Sequence, residues 1–536
     1  MKFYNYLYQK RNLIFSFGLF SLMLISCDKN LLDAVPTDRL SENIFWKSQA
    51  DAELAVNALY NDLDGAEIFY SDALTDIAHV NQPFAVDAYI ELGTYDASSS
   101  RLYNTWSSAY KGIGAANYFL ANVGKIEGNK DETLIARYIG EARVLRAYQY
   151  IKLAYLFGAV PLVKAPLTLS EGREVQQATL SEIYDFIDSE LELAVASLPE
   201  SYSSNDIGRI TRWAALGLKA RSDLYAGRFA AAAKAAKTII DGKRFELYPS
   251  YANLFTYAAE NNKEVLLDKQ FLENIYTQSV FNLLAPYSQQ NGQSTYVPTK
   301  ALVDSYTTSK GDLITDANSG YDSKNPYKNR DPRLAFSIFL DGDPLPNGAT
   351  FHPAPNSGTA DAVGSTYIAS TTGFNIKKYI DKKDLANPSK SGLNIILLRY
   401  AEILLTYAEA KIELGEVDAS VYDVINQIRN SRTDVKLPIV SNQVNQEPLR
   451  QLVRRERTVE LAFEGLHLAD IRRWKTAEKV VPGKVYGITY QNNNGETVVV
   501  EAASESRVFD AKKHYLWPIP QREINLNPNL KQNPNW

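Results

Sequence analysis

The chain has 536 residues and a formal net charge of −5, with 45% hydrophobic and 22% charged residues, ordinary values for a globular protein. Mild acidity without a basic stripe, or interleaved basic and aromatic residues, excludes nucleic acid as a partner. A single cysteine excludes disulfides within the chain, so stability rests on burial, and length alone suggests about three domains.

The N-terminus carries Lys2, Lys10 and Arg11, then the apolar run Leu13–Ile25, then Ser26 and the sole cysteine, Cys27. A basic start, an apolar stretch and a small residue before the cut make residues 1–26 a secretory signal. The run is shorter than the roughly 20 apolar residues that a membrane span needs. Leu24-Ile25-Ser26-Cys27 resembles a bacterial lipobox, whose cysteine becomes the first mature residue and carries the acyl chains. Cys27 is thus the expected lipidation site, and the polar stretch 27–41, with Pro36, an N-terminal tether. The protein is expected to be anchored to a membrane without crossing it.

Helical periodicity dominates from there. Apolar spacing predicts helices over Ala50–Asn61, Thr105–Val123 and Glu132–Phe157, the last ended by Gly158 and Pro161. Leu180–Leu198 follows Thr179, an N-cap residue type, and stops at Pro199. Arg212–Ala226 and Phe229–Asp241 form a pair broken at Gly227, and Tyr400–Leu414 and Val417–Ser431 a second pair around Gly415. Each pair has a small residue, Ala220 or Ala408, seven positions before its glycine, as tetratricopeptide-type hairpins require. The repeat is weak, so scattered hairpins are expected and no uniform solenoid.

Tyr248–Gly392 changes character. It is rich in Pro, Gly, Asn, Ser, Thr and Tyr, with turn signals such as Asp341-Gly342-Asp343-Pro344. Glu264–Asp268 and Ala335–Leu340 read as short strands, and Glu496–Val500 as part of a hairpin. The expected architecture is mostly α, with tetratricopeptide-like helical hairpins forming a scaffold, a large irregular loop-rich section and a few short β-hairpins.

Catalytic signatures are missing: there is no H-E-x-x-H, G-x-S-x-G or P-loop, and the histidines at 79, 352, 467 and 514 lack metal-ligand spacing. Asp62-Leu63-Asp64-Gly65 has the acidic and glycine character of a calcium loop, but Tyr60 and Ser71 stand where carboxylates are needed. No catalytic residue and no metal ligand is assigned. Glu141, Arg143, Arg146, Arg455, Glu456, Glu460 and Arg473 lie among apolar helix positions and are expected to pair with one another.

Three segments carry a family resemblance. Glu141-Ala142-Arg143-Val144-Leu145-Arg146-Ala147-Tyr148 runs on through Leu156-Phe157-Gly158-Ala159-Val160-Pro161-Leu162. Arg454-Arg455-Glu456-Arg457 leads through Glu460-Leu461-Ala462-Phe463-Glu464-Gly465 to Asp470-Ile471-Arg472-Arg473-Trp474. The end reads Leu516-Trp517-Pro518-Ile519-Pro520-Gln521-Arg522-Glu523-Ile524-Asn525-Leu526-Asn527-Pro528. In this order, with the lipobox, Trp106 to Asn117 and Tyr400–Gly415, they closely resemble the SusD/RagB-like outer-membrane lipoproteins of Bacteroidetes.

The resemblance implies one SusD-like domain over 42–536, with a helical scaffold at 42–247 and 393–481, the loop-rich section at 248–392 and a C-terminal section at 482–536. It implies a non-catalytic glycan binder, lipid-anchored in the outer membrane, facing the cell exterior, and partnered by a SusC-like TonB-dependent transporter. No cofactor is called for, and no ligand set indicates calcium. The family's ligand surface directs attention to Asp72, Tyr89, Tyr95, Tyr287 and Tyr296, with Tyr287 followed by Ser288-Gln289-Gln290-Asn291. Sugar recognition needs flat aromatic faces and amides or carboxylates to read hydroxyls. Trp106, Trp213, Trp474 and Trp517 all lie in scaffold motifs, which leaves stacking to Tyr or Phe. The scaffold does not fix the cargo, so a peptide or protein-fragment binder for a similar transporter, a protein-only adaptor and a hydrolase stand as alternatives.

Overall fold

The computed structural model describes residues 45–82, 88–128, 130–503 and 505–536; the expected signal, Cys27 and the expected tether lie outside them. The longer helices are α1 (Gln49–Leu59), α2 (Ser100–Asn122), α3 (Glu132–Phe157), α4 (Leu180–Ser197), α5 (Arg212–Tyr225), α6 (Phe229–Asp241), α7 (Tyr400–Glu413), α8 (Ala419–Asn430) and α9 (Gln446–Glu460). Local chemistry sets their ends. The Asp131 carboxylate accepts from the Thr133 and Leu134 amides ahead of α3, and Thr179 and Glu182 cap α4 reciprocally. Gly227 and Gly415 both take φ near +70° (+71° and +72°) where α5 and α7 turn back, a conformation that costs glycine nothing. Ala220 and Ala408 are buried at the contacts they precede.

Each helix packs on the next: α2 on α3, α3 on α4, α4 on α5, α5 on α6, α6 on α7, and α7 on both α8 and α9. The hairpins are therefore not scattered. They form one continuous stack, because α6 and α7 meet across the whole loop-rich section, which is an insertion between them. The α6 face that packs against α5 and α7 is rich in alanine, and small side chains let the helices approach closely.

Among the described residues the strands are β1 (Ala78–Val80), β2 (Val265–Lys269), β3 (Tyr296–Pro298), β4 (Ile338–Phe339), β5 (Asn375–Ile376), β6 (Ile395–Arg399), β7 (Tyr486–Gln491) and β8 (Thr497–Glu501). They pair antiparallel as β1–β3, β2–β6, β4–β5 and β7–β8. Only β7–β8 is a hairpin of adjacent segments; the other pairs join distant ones. The β2–β6 ribbon closes the two ends of the insertion just ahead of α7. Ala335–Leu340, expected as a strand, is a short helix Arg333–Ser337 followed by β4. Pro332, at φ −57°, presets the helical turn there.

One contiguous apolar cluster runs through scaffold and insertion alike. Trp106 of α2 meets Phe157 of α3 edge-on at 5.1 Å, and Phe157 meets Trp517 at 5.6 Å, which docks the C-terminal section on the scaffold.

All of the embedded charges but Arg455 pair, mostly with partners outside their own motifs; among the described residues the Arg455 Nε is buried without a hydrogen bond. Arg143 and Arg146 both bind Glu190 of α4, while Glu141 takes Arg209 at 3.0 Å and the Tyr60 hydroxyl at 2.8 Å. A larger network sits under the insertion. Glu460 accepts from Arg399 at 2.8 Å and Arg333 at 3.0 Å and pairs with Arg432 at 3.0 Å. Glu264 also binds Arg399 and Arg432, Glu464 binds Arg399 and Lys378, and Glu456 binds Arg333 and Arg429. Arg333 and Lys378 belong to the insertion and Glu456 and Glu460 to α9, so this buried network fastens the loops to the stack.

Candidate functional site

The insertion meets the N-terminal part of the scaffold at the β1–β3 pair, where Ala78, His79 and Val80 face Pro298, Val297 and Tyr296. The pairing continues through the Asn81 amide, which donates to the Thr295 carbonyl at 2.9 Å. Asn81 is buried and pins a third segment. Its amide nitrogen donates to the carbonyls of Ile368 and Ala369, each at 3.2 Å, and its side-chain oxygen accepts from the Thr371 amide and hydroxyl, each at 2.7 Å. Gln82 donates to the Gln293 carbonyl at 3.2 Å.

The Tyr287 loop is held as firmly. The Asp361 carboxylate accepts the Ser288 amide at 2.8 Å, and buried Gln289 accepts the Asn347 amide at 3.2 Å. Gly292 passes so close to the preceding turn that a Cβ there would stand 2.0 Å from the Pro286 carbonyl oxygen. On this frame Tyr287 is 38% exposed and Tyr367 is 68% exposed. Gln290, Asn291 and Gln293 are exposed beside Tyr287 in the chain. The arrangement presents aromatic faces and amide groups on loops fixed by buried hydrogen bonds, the pattern that reads a polar ligand with flat apolar faces.

The five residues expected to form a ligand surface divide. Tyr287 lies on this loop cluster, and Tyr89 is half-buried, its carbonyl accepting from the Thr94 amide and hydroxyl. Asp72, Tyr95 and Tyr296 are corrected to core positions. Asp72 is fully buried; its carboxylate accepts from the Gly465 and His467 amides at 3.1 and 3.3 Å, and burial pushes it up to about 6. Tyr95 stacks on His514 at 5.4 Å and leans on Trp536 at 4.9 Å, with burial raising its phenol to about 12. Tyr296 is buried in β3 against Tyr70. Tyr367 was missed; its one sequence signal is an isolated tyrosine in the Ser- and Thr-rich run 365–372.

The histidines are each engaged structurally. His79 pairs with Glu91 at 2.6 Å, His467 with Asp76 at 3.0 Å and His352 with Asp341 at 2.9 Å. His514 accepts the Asp510 amide, and burial pushes it down to about 4. Among the described residues no group of three or more His, Cys, Asp or Glu is placed to hold a metal ion.

A model of the SusD family matches residues 263–536, just over half of the chain, and one described as starch-binding, associating with outer membrane, matches residues 32–224. The chain belongs to the SusD family. The SusD-like protein P2 of Formosa agariphila is 27% identical, the comparison covering 97% of this chain and 98% of that relative. A SusD-like carbohydrate-binding protein from Bacteroides fragilis is 29% identical with a TM-score of 0.82, covering 91% of this chain and all of the other. A second SusD-like protein from that species is 26% identical, with a TM-score of 0.81 and 94% of this chain covered. A laminarin-binding SusD-like protein, 22% identical with a TM-score of 0.70, shares the fold. The mostly helical SusD fold and the recognition drawn from the three motifs both stand.

Proposed function

We propose that this SusD-family protein is a non-catalytic, lipid-anchored glycan binder at the cell surface that delivers oligo- or polysaccharide to a SusC-like TonB-dependent transporter. The observation that carries the reading is Tyr287, an exposed ring without an intramolecular hydrogen bond, on a loop fixed by Asp361, Asn347 and the tight Gly292 turn. A rigid aromatic face flanked by Gln290, Asn291 and Gln293 suits a sugar ring better than a peptide backbone, which would ask for an open strand edge or an apolar groove. The carbohydrate-binding relative and the outer-membrane family model support the cargo class and the location.

Tyr287→Ala is expected to weaken glycan affinity roughly three- to tenfold, the range that loss of one aromatic contact gives. Its melting temperature should not move, because an exposed side chain carries little stability. Affinity electrophoresis of the lipid-free protein against neutral and anionic polysaccharides, with a peptide panel alongside, measures this. Peptide binding with no retardation by any glycan would replace the proposal with peptide import. Tyr296→Ala is not a binding probe: it empties a buried site and should cost about 3–5 kcal/mol of stability.

A further inference from the structure

A second cleft shares no residue with the loop cluster. It has a volume of about 280 Å³ and is lined by the end of α1 (Asn57, Tyr60), the following turn (Asn61, Leu63), the segment Asn205–Arg209, and Asp268–Gln270 with Tyr276. A neighbouring cavity of about 360 Å³ continues it, the two sharing Asn61, Leu63 and Lys269.

One wall is an exposed tight hairpin. Leu272 and Tyr276 exchange backbone hydrogen bonds of 2.7 and 2.9 Å around Asn274, whose φ is +65°. The Tyr276 ring lies nearly parallel to Phe271, centroids 5.3 Å apart at 11°, and is still 42% exposed. Packing on Phe271 fixes the ring's plane, so it enters a complex with little entropy left to lose. Around it stand the exposed carboxamides of Asn57, Asn61 and Asn205, whose side chains make no hydrogen bond within the protein.

The charges in this cleft are already satisfied. Arg209 binds Asp206 at 2.7 Å, Glu141 at 3.0 Å and Glu53 at 3.3 Å, and Asp206 also takes Arg137 at 3.0 Å. The Lys269 ammonium donates to the carbonyls of Asn61 at 3.0 Å and Leu63 at 2.6 Å. It thus ties the turn after α1 to β2. Asp268 is buried with the Asn394 amide at 3.3 Å. What remains for a ligand is one preset aromatic face and uncommitted amides, the charged groups around them each being held by partners within the protein.

We infer that this cleft is a second carbohydrate subsite, which takes a neutral sugar ring on Tyr276 and reads its hydroxyls with Asn57, Asn61 and Asn205. The inference rests on the glycan reading for its ligand class, and on its own residues for its position. Two subsites on one chain would let a polymer be held by avidity while one end is passed on.

The test is isothermal titration of the lipid-free chain, as wild type, Tyr276→Ala, Asn61→Ala/Asn205→Ala and Tyr287→Ala. The probes are hexamers of β-1,3-glucan, β-1,4-glucan, α-1,4-glucan and β-1,4-mannan, with oligogalacturonate as the anionic control. For at least one neutral hexamer, Tyr276→Ala and the double variant are each expected to lose a binding site or bind roughly three- to tenfold more weakly. All substituted side chains are exposed, so folding is retained. Wild-type stoichiometry and affinity in both variants would overturn the subsite, and a loss confined to Tyr287→Ala would do so while sparing the glycan reading. A loss confined to Tyr276→Ala and the double variant would support the subsite and move the principal site away from the loop cluster. Binding of the galacturonate alone would overturn the neutral-ligand assignment, and binding of no probe would overturn subsite and glycan reading together.

Discussion

Glu460→Ala is expected to lower the unfolding free energy by about 3–5 kcal/mol, read by chemical denaturation at pH 7. The carboxylate is fully buried, and three guanidinium groups, those of Arg333, Arg399 and Arg432, converge on it. Removing it leaves the buried cluster one negative charge short, although Arg333 keeps Asp331 and Glu456, Arg399 keeps Glu264 and Glu464, and Arg432 keeps Glu264. That uncompensated charge costs more than the pairing itself contributes. Glu460→Gln, which keeps hydrogen-bonding atoms but loses the charge, should fall between the variant and wild type. Burial alone would raise the Glu460 carboxyl, yet Arg432, Arg399 and Arg333 outweigh it and hold the group well below its ordinary value of 4.5. Glu456 and Glu464 are lowered by the same kind of partners against the same burial. The unfolded chain therefore takes up these protons at higher pH than the folded one. Their contribution is complete above about pH 4.5 and fades as the pH falls below it towards the depressed folded values. The wild type should lose stability steeply on acidification below pH 4.5, and Glu460→Ala should show a shallower slope. A loss under about 1 kcal/mol at pH 7 would mean that the insertion is fastened by apolar packing alone, since that is the scale of exposed pairs.

That network also shows where reading the sequence stops. The helices were legible because 3.6-residue periodicity and caps are local: α3 and α6 run over the residues that spacing and turn chemistry select, and Thr179 caps α4 as its residue type allows. Charges embedded among apolar residues announce pairing, but the partner is chosen by folding. Glu141 lies two residues before Arg143, yet it reaches Arg209, while Arg143 and Arg146 reach across to Glu190. The same limit hid the stack. Nothing local says that α6 and α7 touch across the insertion, or that β1 pairs with β3 more than 200 residues away.

Tyrosine made the candidate site the hardest part to read, because its ring is at home in a core and its hydroxyl at a surface. Tyr95 and Tyr287 look alike in sequence. Tyr95 is core because the C-terminal residues His514 and Trp536 return to cover it, whereas Tyr287 stays 38% exposed among the described residues. Tyr276 left a faint signal, an apolar cluster of Phe271, Leu272, Ile275 and Tyr276 spaced by the turn-forming Asn274. That spacing stacks two rings on one side of a hairpin and leaves Leu272 and Ile275 in solvent.

Cys27→Ala is expected to move the protein from the membrane to the soluble fraction, close to completely, when it is produced without its barrel partner. The argument is one of chain number. Each buried methylene of an acyl chain contributes about 0.8 kcal/mol, so a single chain holds a protein only marginally, while two or more hold it stably. A lipobox cysteine gathers several chains on one residue, and losing that residue removes all of them at once. Among the described residues no helix is long and apolar enough to cross a membrane, so none of them could take over as the anchor. Glycan affinity should be unchanged, because neither the loop cluster nor the second cleft uses a residue before Asn57. A variant that still sediments with membranes in the absence of the transporter would show that Cys27 is not the anchor. A variant that is released, but also loses glycan binding in solution, would show that the N-terminal segment helps to form the site. On the proposed reading, the fourteen residues from Asp28 to Ser41, spanning at most about 45–50 Å of extended chain, would let a lid swing on a transporter while a lipid on Cys27 stayed in the bilayer. If the proposed reading holds, anchoring and binding are separable by one substitution, the lipid fixing the receptor's place and the loops choosing its cargo.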